Sequence, residues 1–476
     1  MKTILRLSLL FLFLHFSNQS TSQINENSIL LKSELSFEAD SQTLDTYLMI
    51  NEIDGVQKGE LYIPAQLVFS LPADSISFTK EKFNISFTDY AIGIVCNWNE
   101  NTKSFTGFWT QGNSKTELEF YYITREEMSF VDRPQTPNPP FEYITKDYKI
   151  KNEENGAILA GTLSIPDTTK TYPLVVLVTG SSLQDRDETI FGHKPFSVIA
   201  NYLTNNDIAV FRYDDRGYGE STGNVTNATT YDFMTDALSV IKFFETHKNI
   251  DKIGVLGHSE GGQIAIMLAA NYSQNIDFII SLAGPAAPII DVMLKQSEYQ
   301  FDLAGYDKDD ISVLVAMQKE LYKSCIKYDD LNDLKKITIR IYEKYTNILG
   351  EEKANLYGIN PLNNYKTALE LNSAWFRYFI AYNPIKDIRE IRCPVLALNG
   401  DNDKQVDAEI NLNSFEKNLK KSKSPYYAIH SMEGLNHLFQ HDEIGSLQEY
   451  YMINETISEE VLEIIKDFIN KIKNIN

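Results

Sequence analysis

The chain has 476 residues, of which 43% are apolar and 23% are charged, and its formal net charge is −21 at pH 7. The length predicts two or three domains, and the charge argues against a nucleic-acid partner, which requires a basic surface. The three cysteines, Cys96, Cys325 and Cys393, are far apart and odd in number. They therefore indicate neither a disulfide framework nor a metal cluster.

The first residues have the pattern of an export signal. Lys2 and Arg6 make a basic start, residues 7–16 are apolar, and small polar residues follow as far as residue 23. The apolar part is shorter than the ~20 residues that a bilayer span needs, and no later apolar run reaches that length. We therefore expect residues 1–22 to be a signal peptide and the protein to be exported, periplasmic or extracellular, without a stable membrane anchor.

Residues 24–130 predict a small all-β domain. Short segments rich in β-branched and aromatic residues, such as 61–63 and 118–122, are separated by turn residues. Regular short strands of this kind are typical of a sandwich or a barrel. Three aromatic side chains either fill the core of this domain or line a binding face: Trp98, Phe108 and Trp109.

The proline-rich segment 131–142 predicts a linker, because prolines prevent helix and favour an extended, semi-rigid spacer. From residue 143 to residue 476, apolar strand-like runs such as 174–178 and 208–211 alternate with amphipathic helical segments. This alternation is typical of a mostly parallel sheet that has helices on both faces.

A serine in a sharp turn is the most informative motif of this second region. Gly-His-Ser-Glu-Gly-Gly at residues 257–262 follows the apolar run 253–256 and precedes a helical pattern that begins at Gln263. A Gly-x-Ser-x-Gly at a strand-to-helix turn is the nucleophile elbow of α/β-hydrolases. Its glycines allow the turn to pack closely against its neighbours, and the helix N-terminus favours a developing oxyanion. Ser259 is therefore the candidate nucleophile, the alternative being a glycine turn with an incidental serine.

A serine nucleophile needs a base and a third group that holds the base. In α/β-hydrolases the acid follows the serine in the chain and the histidine comes last. Asp403 lies in the loop after the strand-like run 394–398, and His437 lies in a loop after the last predicted strand, so they are the candidate acid and base. The alternatives are Asp401 and Asp407 for the acid, and His430 and His441 for the base.

An oxyanion hole needs two N–H donors. One is expected from the backbone of Glu260, and the other from the loop 179–182, with Ser181 as the candidate. Each donor typically contributes about 3 kcal/mol to the lowering of the barrier. His258 adjoins the nucleophile, but the elbow turns its side chain away, which predicts a packed structural histidine.

The strand and helix alternation is interrupted between about residues 286 and 390. This insert has helical periodicity and contains no strand-like run. In a hydrolase, an insert between two late strands lies above the nucleophile as a lid. The aromatic residues 375–379 near its end either face an acyl pocket or anchor the lid.

Five short motifs carry a resemblance to a known group of enzymes. They are the elbow at 257–262, Thr-Gly-Ser-Ser at 179–182 running into Gln-Asp-Arg-Asp at 184–187, Asp-Arg-Gly-Tyr-Gly-Glu-Ser at 215–221, Gly-Asp-Asn-Asp at 400–403 and Leu-Asn-His-Leu-Phe at 435–439. Together they resemble the secreted EstD-type esterases of the α/β-hydrolase superfamily, near the serine aminopeptidase-like hydrolases. The resemblance extends to the linker and, more loosely, to the β domain.

The resemblance implies a triad of Ser259, Asp403 and His437 that cleaves short-chain acyl esters without a metal or organic cofactor. One departure is Ser182-Leu183, where such sequences more often have Gly-Pro.

The sequence thus predicts an α/β-hydrolase fold, with a mostly parallel, doubly wound sheet and a helical lid, preceded by a small all-β domain. It predicts a secreted serine esterase that acts on small-molecule esters through an acyl-enzyme, and it leaves the oligomeric state open. Two alternatives remain. One is a peptidase of short peptides, in which Glu298 or Asp302 would help to form a pocket for the free amino terminus of the substrate. The other is a catalytically silent binding protein that uses the β domain to hold its partner.

Overall fold

The structure is a computed structural model that describes residues 27–36, 43–53, 55–66, 68–112 and 114–473. The expected signal peptide, residues 1–22, lies outside these ranges. Within them, no helix combines the length and the apolar character that crossing a membrane requires.

The N-terminal part forms one curled antiparallel sheet. Its strands are β1 (Ile29–Ser36), β2 (Thr43–Ile53), β3 (Val56–Ile63), β4 (Val68–Pro72), β5 (Ser75–Phe78), β6 (Lys82–Phe87), β7 (Ile92–Asn99), β8 (Ser104–Gln111) and β9 (Ser114–Tyr122). Their spatial order is β4-β3-β2-β1-β9-β8-β7-β6-β5. The sheet curls until β5 comes back to β3, where the carboxamide of Gln57 bonds to the backbone N–H and C=O of Phe78. The predicted all-β domain is confirmed.

The core of this sheet explains two of the three aromatic side chains. Trp109 is only 2% exposed and fills the core, and Trp98 packs against its edge. Phe108, the neighbour of Trp109 in β8, points to the opposite face because side chains alternate along a strand. It is 38% exposed and lies under the ammonium group of Lys115, 3.5 Å from the ring centre.

The sequence predicts that the proline-rich segment is a spacer. In the structure, side chains of this segment bond to the C-terminal part of the chain. Arg133 donates to the backbone carbonyls of Phe191 and Tyr451. The Gln135 carboxamide accepts from the N–H of Ile457 and donates to its carbonyl. An apolar cluster drawn from both parts lies beside these bonds: Leu30, Tyr47, Met49, Tyr62, Met128, Phe130, Phe191, Leu438, Tyr450 and Tyr451.

Short 3₁₀ turns lie at Pro64–Gln66, Thr88–Tyr90 and Glu126–Val131.

The C-terminal part is built on a mostly parallel sheet. Its strands are β10 (Ile144–Lys151), β11 (Ile158–Ile165), β12 (Tyr172–Val178), β13 (Ala209–Tyr213), β14 (Ile250–His258), β15 (Phe278–Leu282), β16 (Val395–Gly400) and β17 (Tyr427–Met432). The order is β10-β11-β13-β12-β14-β15-β16-β17. β10, β11 and β13 pair antiparallel, and every later pair is parallel.

Helices cover both faces of this sheet. They are α1 (Pro195–Thr204), α2 (Thr230–Phe244), α3 (Glu260–Asn271), α4 (Ile289–Leu303), α5 (Lys308–Lys327), α6 (Leu331–Leu349), α7 (Glu351–Leu356), α8 (Pro361–Leu371), α9 (Ala374–Ala381), α10 (Ile385–Glu390), α11 (Ala408–Leu419), α12 (Leu447–Tyr450) and α13 (Glu459–Ile472). α2, α3, α10 and α11 share one apolar core with Val176 of β12, whereas α1 and α13 share a second core with Val175. The two cores explain why β12 is apolar at every position.

Helices α4 to α9 lie between β15 and β16 and have an apolar core of their own. It joins residues far apart in the chain, such as Met293 of α4, Tyr322 of α5 and Phe376 of α9. The segment is therefore a folded helical insert.

Candidate active site

Ser259 lies in a tight turn between β14 and α3. Its φ is 52° and its ψ is −117°, a conformation that residues other than glycine rarely adopt. The helix begins at Glu260, three residues before the predicted start at Gln263. The sequence predicts turn residues at Gly261 and Gly262 because glycine has a low helix propensity. In the structure, tertiary packing places both of them in the first helical turn.

Close packing explains the glycines of this turn. A Cβ on Gly257 would lie 1.9 Å from the carbonyl oxygen of Gly261. A Cβ on Gly261 would lie 2.1 Å from the carbonyl oxygen of Val178, at the end of β12. Neither position has room for a methyl group, so the strained turn is held by backbone packed against backbone.

The structure brings the predicted acid and base together. His437 Nδ1 lies 2.7 Å from Asp403 Oδ2, and the two side chains are 4% and 2% exposed. Asp403 also accepts from the backbone N–H groups of Gln405 and Val406 and from the Asn399 carboxamide. These bonds fix the carboxylate, and the carboxylate fixes the imidazole.

The alternative acids and bases have other partners. Asp401 accepts from the N–H of Gly434 and shapes the turn, and Asp407 caps α11. His430 is exposed on β17. His441 bonds to Glu455 at the surface, with 64% of its side chain exposed.

The carboxyl group of Glu260 joins three parts of the structure behind the serine. It accepts from the Thr230 hydroxyl at 2.6 Å and from Trp375 Nε1 at 3.0 and 3.2 Å, and it also bonds to the Ser181 side chain. Burial raises the pKa of Glu260, and these hydrogen bonds oppose that shift. The two residues predicted to supply oxyanion donors, Glu260 and Ser181, are therefore neighbours. The Glu260 N–H is in the first turn of α3, where N–H groups have no partner within the helix.

The loop that carries Ser181 is held by a buried aspartate. Asp215 accepts from the Thr179 hydroxyl at 2.9 and 3.0 Å and from the N–H of Gln184 at 2.8 Å. Burial raises the pKa of Asp215 well above its usual value. In the same loop Ser182 has a φ of 75°, in the left-handed region that favours glycine. This agrees with the glycine that the sequence resemblance implies at this position.

A second histidine–carboxylate pair lies beside the first, and the sequence pattern did not reveal it. His258 Nδ1 lies 2.9 Å from Glu188 Oε1, and Nε2 lies 2.9 Å from the carbonyl oxygen of His437. Burial alone would lower the pKa of His258, but the charge of Glu188 and the hydrogen bonds raise it overall. The one available signal was the position of Glu188, directly after the Gln-Asp-Arg-Asp motif.

The helical insert reaches this site through Trp375 of α9. Its bond to Glu260 shows that the side chain holds the insert against the elbow, and its ring stacks on Phe379 with centroids 5.1 Å apart. Within the described ranges, no group of three or more His, Cys, Asp or Glu side chains is arranged to hold a metal ion.

The sheet order and the strand–serine turn–helix unit define the α/β-hydrolase fold. Residues 194–346 match the family described as serine aminopeptidase, S33. The chain is 32% identical over 205 residues to esterase EstD of Thermotoga maritima, an alignment that covers 43% of this chain and 47% of EstD. It thus spans about half the length of that relative. The predicted resemblance to EstD-type esterases and serine aminopeptidase-like hydrolases is confirmed.

Two further proteins are similar to this chain. A probable alcohol acetyltransferase of Wickerhamomyces anomalus is 23% identical over 294 residues, which are 59% of this chain and 78% of that protein. The solved structure of the Pyrococcus furiosus esterase Pf2001 is 17% identical and covers 76% of this chain and 96% of its own, with a TM-score of 0.43.

Proposed function

We propose that this protein is an exported serine hydrolase that cleaves carboxylic esters of small molecules, with short acyl chains as the preferred class. Ser259 is the nucleophile, His437 the general base and Asp403 the group that orients the base. The observation that carries the proposal is the buried 2.7 Å contact between His437 and Asp403. A hydrogen bond from His258, the residue before Ser259, to the His437 carbonyl joins this pair to the serine turn.

The reaction follows from these roles. The Ser259 hydroxyl oxygen attacks the ester carbonyl carbon while His437 takes its proton, and Asp403 stabilises the imidazolium that forms. The backbone N–H groups of Glu260 and Ser181 bind the oxyanion of the tetrahedral intermediate. His437 then gives the proton to the leaving alcohol as the carbon–oxygen bond breaks. Water attacks the acyl-enzyme with His437 again as the base, which releases the acid and restores Ser259. These steps need neither a metal nor an organic cofactor.

We also propose that helices α4 to α9 form a lid over this site. Two observations support it: the insert has its own core, and Trp375 reaches the residue after the nucleophile. The aromatic rings of Trp375 and Phe379 lie at this contact and favour an apolar acyl group.

The direct test is the substitution Ser259→Ala. Wild-type protein is expected to hydrolyse p-nitrophenyl acetate and to be labelled by a fluorophosphonate, and the variant to do neither. Ser239→Ala, at a partly exposed position in α2, is the matched control and retains both properties. Hydrolysis by the Ser259→Ala protein at the wild-type rate would overturn the proposal. Mass spectrometry of the N-terminus of the mature protein tests export, since removal of residues 1–22 leaves a new terminus.

A second candidate is a peptidase of short peptides, which the match of residues 194–346 to the serine aminopeptidase family favours. Of the two lid carboxylates predicted for the substrate amino group, Glu298 is already paired with Lys295 at 2.9 Å. The two candidates are separated by kcat/KM for an aminoacyl anilide and for an acyl ester with one enzyme preparation. Preference for the anilide supports the peptidase.

A further inference from the structure

The hydrogen bonds of His258 determine its charge. The side chain is buried, and each ring nitrogen faces an oxygen at 2.9 Å: Nδ1 faces the Glu188 carboxylate, and Nε2 faces the carbonyl of His437. A carboxylate and a carbonyl offer only lone pairs, so each contact needs a proton on the histidine nitrogen. With Glu188 ionised, both nitrogens carry protons, so His258 is an imidazolium and Glu188 is its counter-ion.

This buried pair joins three loops of the proposed active site. Glu188 Oε1 also accepts from the N–H of Gly180 at 2.8 Å, in the loop that carries Ser181. A Cβ on Gly180 would lie 3.3 Å from the Cβ of Ser259, so this loop passes directly beside the nucleophile. His258 itself belongs to the serine turn, and its Nε2 holds the backbone of His437. The oxyanion loop, the nucleophile and the base are thus tied to one another.

The charges around His258 explain why the imidazolium is tolerated away from water. Glu188 contacts it directly, and the charge of Asp403 also raises the pKa of His258. The ring of His437 lies 4.8 Å from the ring of His258. With Glu188, Asp403 and His258 charged, the four groups carry one net negative charge, and this is cancelled when His437 takes the proton of Ser259. The pair therefore fixes the position of the base, and its charges also contribute to the electrostatic environment in which the base takes up the proton.

We propose that the Glu188–His258 ion pair is a positioning device of the hydrolase, which fixes His437 and the oxyanion loop relative to Ser259. This inference rests on the proposed function. Neither residue takes part in the proposed bond-making and bond-breaking steps, so the pair acts through the groups that do. Because misplacement by about 1 Å costs roughly 100-fold in rate, loss of the pair is expected to lower kcat more than it raises KM.

Two substitutions of His258 each keep one of its two hydrogen-bond donors and remove the other. His258→Asn places an amide nitrogen where Nδ1 was and keeps the donor to Glu188, whereas His258→Gln places one where Nε2 was and keeps the donor to His437. We expect His258→Asn to lower kcat about 10- to 100-fold with KM changed less than about twofold, and His258→Gln to retain more of kcat. In both variants the acidic limb of the kcat/KM pH profile moves up by about one pH unit, because a positive charge near His437 is lost.

His441→Asn is the matched control, because His441 forms the same kind of pair with Glu455 at 2.9 Å but at the surface. It leaves kcat and the pH profile unchanged. If His258→Asn lowers the melting temperature while kcat and the pH profile of the folded enzyme stay at wild-type values, the pair is only structural and the inference is wrong. Failure of the proposed function is a different result, since activity would then survive Ser259→Ala.

The charge of His258 has a test that does not depend on activity. In protein labelled with ¹⁵N-histidine, nitrogen spectra at pH 8 are expected to show one histidine with both ring nitrogens protonated, and that signal disappears in His258→Gln. A spectrum in which each histidine has one bare nitrogen at this pH would overturn the assignment.

Discussion

Replacing the proposed nucleophile with glycine should make the protein more stable while abolishing its activity. Ser259 has a φ of 52° and a ψ of −117°, and the glycine contacts on either side hold it there. Such a conformation costs a residue with a Cβ about 1–3 kcal/mol. Glycine adopts it without that cost but loses roughly 0.5–1 kcal/mol more backbone entropy on folding. The net gain for Ser259→Gly is therefore about 1 kcal/mol, within a range of roughly 0–2.5 kcal/mol.

The measurement is the melting temperature by calorimetry at fixed scan rate. For residues 143–476, an unfolding entropy of about 2.1 cal/mol/K per residue makes 1 kcal/mol correspond to about 1.4 °C, so we expect Ser259→Gly to melt about 1.5 °C, and at most about 3.5 °C, above the wild type. Ser259→Ala keeps the Cβ and is expected to gain none of the strain relief. Ser239→Gly, in the middle of α2, should lower the melting temperature, because glycine is unfavourable inside a helix. If Ser259→Gly melts no higher than Ser259→Ala, the strain reasoning is refuted.

Three further predictions concern packing and buried charge. Gly257→Ala puts a methyl group 1.9 Å from a backbone oxygen, so it should abolish fluorophosphonate labelling and lower the melting temperature by several degrees. Gly434→Ala is the control: its added Cβ meets nothing within 4 Å, but its φ of 70° strains the alanine backbone, so it should lower the melting temperature and retain labelling. Trp375→Phe removes a hydrogen-bond donor from the buried Glu260 carboxylate, which should lower the free energy of unfolding by about 1–3 kcal/mol at pH 8. Because burial raises the pKa of Glu260, a lower pH neutralises the carboxyl and weakens its need for the donor, so the loss of stability measured by urea unfolding should be smaller at pH 5. Burial raises the pKa of Asp442 to about 6. Its folded pKa lies above the unfolded value, so stability falls as pH rises from about 4 to 6; Asp442→Asn should raise the melting temperature at pH 8 and leave it unchanged at pH 4.

The local part of the site could be predicted from the sequence. The spacing of glycines around Ser259 follows from backbone packing within a few residues, and the order of acid and base follows from strand order, which placed Asp403 and His437 at adjacent strand ends. The long-range part could not be predicted. Glu188 and His258 are 70 residues apart, and Trp375 lies 115 residues from Glu260. Sequence periodicity does not indicate such partners, because these residues come together only when distant parts of the chain pack in the tertiary fold.

The proline-rich segment shows the same limit. Its composition predicts an extended backbone, but composition says nothing about what the side chains bind. Arg133 and Gln135 pair with backbone groups near residues 451 and 457, more than 300 positions along the chain. A segment without secondary structure of its own is thus ordered by contacts that only the complete fold provides.

The cluster that joins the two sheets has a consequence for the order of assembly. It contains Leu30 and Tyr62 from the start of the described chain and Leu438 and Tyr450 from near its end. During synthesis the N-terminal strands emerge first and Phe130 can pack on Tyr47 and Tyr62, but the rest of this cluster is completed only when Leu438 and Tyr450, in the last tenth of the chain, are made. Leu438 directly follows His437, so the loop that carries the proposed base is completed in the same late step. A chain that stops short of this point leaves part of this aromatic cluster uncovered and lacks the proposed base, so the proposed hydrolysis requires synthesis to continue past His437.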